Sequence, residues 1–141
     1  MNVLDTVRPY FLSIFRIAIG LMFVCHGAAK LFGALGGEAV PVGVWPQWYA
    51  GVIEVVGGGL VLLGLFTRIA ALICSGEMAY AYFLVHQPKG LLPLQNEGEL
   101  AAVYSWSFLL IAVMGPGAWA LDTWLSRIRM REHLTAHNGV A

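Results

Sequence analysis

The sequence predicts an all-α integral membrane protein, an antiparallel four-helix bundle with two longer outer-face connections packed as a lid. Three observations predict it. Of 141 residues, 59% are hydrophobic and 11% charged, against about 25% charged in a soluble domain, and mean hydropathy is +0.74. The apolar residues gather into four runs, each near the roughly 20 residues a helix needs to cross a hydrocarbon core. These runs are continuous, not alternating, and too long for barrel strands, so helices satisfy the backbone. The composition argues against a soluble enzyme, a disordered chain and a disulfide-stapled secreted domain. With 8 Lys+Arg against 8 Asp+Glu, net charge is zero, and no basic field points to nucleic acid.

Span one runs from about Tyr10 to Phe32. Arg16 interrupts it and Lys30 follows without a cleavage motif, so it reads as a retained helix and not a signal peptide. The segment Gly33 to Gln47 holds Gly33, Gly36, Gly37, Pro41, Gly43 and Pro46 and reads as a loop. Span two runs from about Trp48 to Phe66, and Thr67-Arg68 leaves room only for a tight hairpin into span three, about Ile69 to Val85. Gly57-Gly58-Gly59 lies inside span two with no following P-loop lysine, so it serves helix packing or a kink. Gln87 to Glu99, with Pro88, Gly90 and Pro93, is the second long connection. Span four runs from about Leu100 to Met114, with a continuation past Gly115-Pro116-Gly117 to Trp124 left open.

Arg8, Arg68, Arg127, Arg129 and Arg131 fall on one side; Lys89, with Lys30 near its boundary, falls on the other. The positive-inside rule then puts both termini in the cytoplasm and the long connections on the outer face of the plasma membrane. Residues Ser126 to Ala141 form a basic tail; Trp124 and Leu125 just before it, with Ile128 and Leu134 in it and beside three arginines, allow a short interfacial helix on anionic lipid or a solvated tail. Cys25 and Cys74 sit at different depths for a disulfide, and neither C-x-x-C nor H-x-x-x-H occurs, so no metal or haem site is expected.

The ionisable residues within the spans carry the functional reading, because each costs at least about 2.5–3.5 kcal/mol at mid-membrane and needs an interior partner. From helix rise, Arg16 lies about 9 Å and Glu77 about 12 Å from the inner ends of spans one and three. They are expected to pair as a structural polar lock. His26, Lys30 and Glu54 lie in the outer halves, with His86 and Glu99 at the outer ends of spans three and four. His26, Lys30, Glu54 and Glu99 are the candidate ligand or proton-exchange residues, beneath the outer connections. Three of them have a plainer reading: a core histidine for His26, a snorkelling lysine for Lys30, and for Glu99 a capping box with Asn96. Glu54, flanked by apolar residues and without a cap role, is the hardest to dismiss and stands evenly between a structural and a functional reading. At 100° per residue Arg16, Gly20, Phe23, Gly27 and Lys30 share one stripe, and Gly51, Glu54 and Gly58 another. Glu77 and His86, nine residues apart, fall on opposite faces.

Arg16-x-x-x-Gly20, Gly27-x-x-Lys30-Leu31, Glu54-x-x-Gly57-Gly58, Gly64-x-x-Thr67-Arg68, Asn96-x-Gly98-Glu99, Gly115-Pro116-Gly117 and Asp122 occur in this order across residues 10–124. In this the chain resembles the DoxX family of small four-helix membrane proteins. One departure is Glu97, where relatives often have Gly. The resemblance implies a link to quinone- or thiol-based redox systems through partner proteins; it carries no agreed catalytic residues.

The expected function is a small integral subunit of such a redox system, binding a quinone or similar lipid-soluble molecule in its outer half. Such a site needs aromatic walls and proton-exchanging groups. Trp45, Trp48, Tyr80, Tyr82 and Trp106 can supply walls, and His26 and Glu54 the protons. No intrinsic cofactor is evident, so any oxidoreductase activity needs a protein partner. Two alternatives remain: a non-enzymatic scaffold or receptor that recruits partners, and a small proton-coupled transporter acting as a homo-oligomer.

Overall fold

The computed structural model describes residues 2–138, with side chains as far as residue 131; the end of the expected tail and the side chain of Leu134 lie outside the described residues. Among the described residues there are five α-helices and no strand: α1 (Val3–Phe32), α2 (Gln47–Leu63), α3 (Thr67–Ala81), α4 (Glu99–Met114) and α5 (Leu121–Asn138). A π-helical turn, Tyr82–His86, and a 3-10 turn, Gln87–Lys89, prolong α3. Two helical runs, Val3–Phe32 and Thr67–Lys89, are long and apolar enough to cross a membrane; α2 and α4 are apolar but shorter.

α1 packs on α2, α2 on α3, α3 on α4, and α4 returns to α1. The buried stripe of α1 is Ser13, Arg16, Gly20, Phe23 and Gly27; that of α2 includes Gly51, Glu54 and Gly58. These are the faces the wheel predicts. Glycine is required there by proximity: a Cβ on Gly27 would lie 2.7 Å from the Gly51 carbonyl oxygen, and one on Gly57 2.5 Å from Cys74 Sγ. α2 is thus held close to α1 on one side and α3 on the other. Phe23, Val61, Cys74 and Phe108 form the buried centre, with the Phe23 and Phe108 rings edge to face at 4.6 Å. α3 and α4 exchange hydrogen bonds: Ser75 Oγ donates to the Ser105 carbonyl at 2.8 Å and Ser105 Oγ to the Ser75 carbonyl at 3.1 Å.

Several boundaries differ from the sequence reading. Thr67 and Arg68 already belong to α3, so the hairpin turn is residues 64–66, with Gly64 at φ 73° as the left-handed cap of α2. Span four ends at Met114, where Gly115 takes φ 95°, and α5 begins separately at Leu121. Gly98, not Asn96, is the N-cap of α4; Asn96 instead closes the preceding turn, accepting from the Gly98 N–H and donating to the Gly90 carbonyl, both at 2.8 Å. Of the two connections, the second is anchored through Asn96 and Gly98, both buried, while most of its other residues are exposed, Leu91 to 77%. The first is mostly exposed, Val42 to 83%.

The expected Arg16–Glu77 pair does not form. Arg16 lies level with the C-terminal end of α2, where helix carbonyls have no intrahelical partner. Its Nη1 donates to the Val61 and Leu62 carbonyls, the latter at 2.6 Å; its Nε donates to Pro116 O at 2.9 Å and its Nη2 to Trp119 O at 2.6 Å. Asp122 lies in the same cluster, accepting the Phe66 and Thr67 backbone N–H groups at 2.9 Å and the Thr67 hydroxyl at 2.8 Å. Arg68 closes the α3–α4 side through the Ala112 and Val113 carbonyls, at 2.8 and 2.9 Å. Glu77, about ten residues up α3 and thus about 15 Å along the axis, is beyond this knot.

Candidate ligand site

At the opposite end of the fold from the Arg16 knot, α1 brings Lys30 onto the face of α2 that carries Glu54. Lys30 Nζ lies 2.5 Å from Glu54 Oε1. Glu54 is 2% exposed, whereas the lysine side chain is one-third exposed. The pair can form because Gly51 and Gly27 let the helix backbones approach. The second carboxylate oxygen of Glu54, Oε2, is buried and has no hydrogen-bond partner within the protein.

Lys30 and Glu54 form one side of a cavity of about 200 Å³. Phe23 and His26 complete the α1 wall, Met78 and His86 come from α3 and its π-turn, Tyr104 from α4, and Glu97 from the second connection. The His26 ring stands edge-on to Tyr104 at 5.7 Å. Tyr104 is 3% exposed and its hydroxyl, like Glu54 Oε2, is buried without a partner. An unsatisfied buried polar atom costs about 1–3 kcal/mol. Two of them on one cavity supply one acceptor and one hydroxyl that can donate.

Of the sequence candidates, His26, Lys30 and Glu54 therefore share one cavity, and Glu99 does not. Glu99 is the exposed first residue of α4, and Glu97 takes its place at the cavity. Glu97 adopts φ 59°, a left-handed conformation that glycine accepts without strain. His86 Nδ1 lies 3.0 Å from the Asn96 carbonyl oxygen, which ties the second connection to the end of α3. Glu77 and His86, expected on opposite faces, line one adjoining pocket together with Lys30; the π-turn between them widens the helix and shifts its phase. Tyr104 was detectable as the one tyrosine inside the apolar run of span four. No group of three or more His, Cys, Asp or Glu side chains is placed to hold a metal ion among the described residues.

Comparison with known proteins gives a consistent assignment. Residues 11–87 match the DoxX family model. The chain is 50% identical to an uncharacterised protein of Haemophilus influenzae, over 86% of this chain and 96% of that one. It is 32% identical to an uncharacterised membrane protein of Mycobacterium tuberculosis, over 79% of each. It is 31% identical to the inner membrane protein YqjF of Escherichia coli, over 79% of this chain and 89% of that one. No solved structure matches it.

Proposed function

The chain belongs to the DoxX family of membrane proteins, and from that premise we propose that it is a small subunit of a membrane redox system that holds a quinone-like molecule beside Glu54. In this reading α1 to α4 cross the plasma membrane as an antiparallel bundle with both termini cytoplasmic, and the Glu54 cavity lies in the outer half. The observation that carries the reading is Glu54 itself. A carboxylate 2% exposed, bonded to Lys30 through one oxygen and unpartnered at the other, faces a cavity.

The chemistry fits a molecule that alternates between carbonyl and hydroxyl. A quinone oxygen accepts a hydrogen bond, for which the Tyr104 hydroxyl is the buried donor. A hydroquinone hydroxyl donates one, for which Glu54 Oε2 is the buried acceptor. Glu54 held at Lys30 can then receive a proton from the hydroquinone or return one to the quinone, with His26 at the cavity wall on the proton's way. Oxidation of the hydroquinone sends two electrons to a protein partner and its two protons out one after the other through Glu54, and reduction of the quinone draws both back from the same partner and by the same route.

Glu54→Gln tests this. The amide keeps the side-chain volume and removes proton exchange. We expect detergent thermal stability close to wild type, with binding of a short-chain ubiquinone analogue or its reduced form weakened at least about tenfold, equivalent to about 1.4 kcal/mol. Unchanged stability together with unchanged binding would reduce Glu54 to packing. Loss of stability would show instead that its charge serves to hold α2 to α1 through Lys30.

A further inference from the structure

A second cleft, of about 270 Å³, opens between α2 and α3 and shares no lining residue with the Glu54 cavity. We propose that it is a binding site for the ammonium head of a lipophilic organic cation. Two independent features of the cleft converge on that chemistry.

The first is a set of three aromatic rings. Trp45 lies 5.6 Å from Tyr49, tilted by 53°, and 6.2 Å from Tyr80, nearly perpendicular at 77°. The rings are tilted or perpendicular and not stacked, and all three line the cleft, where a bound ammonium group would meet their π-faces. Such faces are negative and attract an ammonium group, most strongly at tryptophan. The second feature is Glu77. It lines the same cleft, and its Oε2 is buried with no hydrogen-bond partner in the protein. The nearby cation, Lys30, is already bonded to Glu54. An aromatic belt at a membrane surface accounts for tryptophan and tyrosine, but not for a half-buried glutamate beside them with one carboxylate oxygen buried and unpartnered.

Pro46, Ala50, Ile53 and Ile73 form the remaining walls. They suit the hydrocarbon arms of an alkylated ammonium better than a hydrated metal ion, which would need more oxygen ligands. Trp45 is 67% exposed, so the cleft is open to its surroundings, and a ligand dissolved in the bilayer can enter sideways.

The test uses the full chain in an uncharged maltoside detergent. Benzyltrimethylammonium is the probe and neopentylbenzene its uncharged shape-match, with binding followed by tryptophan fluorescence and calorimetry. Wild type should bind the cation at least about tenfold more tightly than the neutral compound, a ratio within reach of ring and carboxylate together. Glu77→Gln should remove most of that preference. Trp45→Phe should retain more of it than Trp45→Leu, because only the former keeps a π-face. Equal binding of the two compounds to wild type, or no binding of the cation, would overturn the proposal, and neither result depends on a variant folding. So would an unchanged preference in Glu77→Gln. Repeating the titration in nanodiscs with and without phosphatidylethanolamine identifies the source. Competition by that lipid assigns the site to lipid head groups, and its absence to a free organic cation.

Discussion

Arg16 and Asp122 illustrate how single residues hold one end of this protein together. A guanidinium offers five N–H donors in a rigid fork, and Arg16 directs its fork to four carbonyls from α2 and the segment after α4. A lysine keeps the charge but has neither the fork nor its reach. With hydrogen bonds to charged groups worth about 1.5–3 kcal/mol each, Arg16→Lys should cost at least about 2 kcal/mol, read as a lowered melting temperature in detergent. Because Glu77 is not its partner, Arg16→Leu and Glu77→Leu should be additive in a double-mutant cycle, within about 0.5 kcal/mol. Rescue of the first change by the second would restore the expected pair. For Asp122, burial pushes the carboxyl up, but the Thr67 backbone and hydroxyl, the Phe66 backbone and the charge of Arg16 hold it below its ordinary value. A depressed folded-state value means that its contribution is fully present above the ordinary carboxylate range and is lost as pH falls through the depressed value. Asp122→Asn should therefore be less stable than wild type at neutral pH and lose less on acidification. Melting curves at both pH values check this, and an equal acid slope for the two proteins would remove the carboxylate from the account.

At the scale of elements, close helix packing makes the helical glycines unequal. A Cβ on Gly27 would meet α2 at 2.7 Å, while one on Gly59 has nothing within 4 Å. Gly27→Ala should destabilise by about 1–3 kcal/mol through overpacking. Gly59→Ala should be neutral or stabilising by up to about 1 kcal/mol, since alanine is the better helix former. Comparative melting of the two variants decides it, and equal effects would argue against a tight α1–α2 seam. Here the sequence was readable: apolar runs located the helices, and the 100° rule identified the stripe Arg16, Gly20, Phe23 and Gly27, because both depend on neighbours in the chain. It failed where a local departure resets the count. The π-turn at Tyr82–His86 breaks the phase and brings His86 to the side of Glu77. A left-handed residue at Glu97, in place of a helix cap at Asn96, turns Glu97 toward the cavity and leaves Glu99 outside.

For the whole molecule, Arg8 of α1 and Arg68 at the start of α3 lie at the end where α5, with Arg127, Arg129 and Arg131, begins, and the proposed orientation rests on them. Reporters fused at the two termini should both read cytoplasmic; opposite readings would exclude an even number of spans. What no local pattern could reveal is that Arg16, Gly64, Thr67, Arg68, Gly115 to Gly117 and Asp122 converge at that end, for the contacts join positions up to about a hundred residues apart. That separation bears on synthesis. Arg16 enters the bilayer with α1, yet two of its four acceptors, Pro116 and Trp119, follow it in the chain by 100 and 103 residues. A nascent chain halted before Pro116 carries an arginine with part of its carbonyl cage missing, and such a helix is poorly anchored in lipid. Synthesis through Trp119 is thus what completes the cage around Arg16, and products that stop short of it retain a polar flaw in α1.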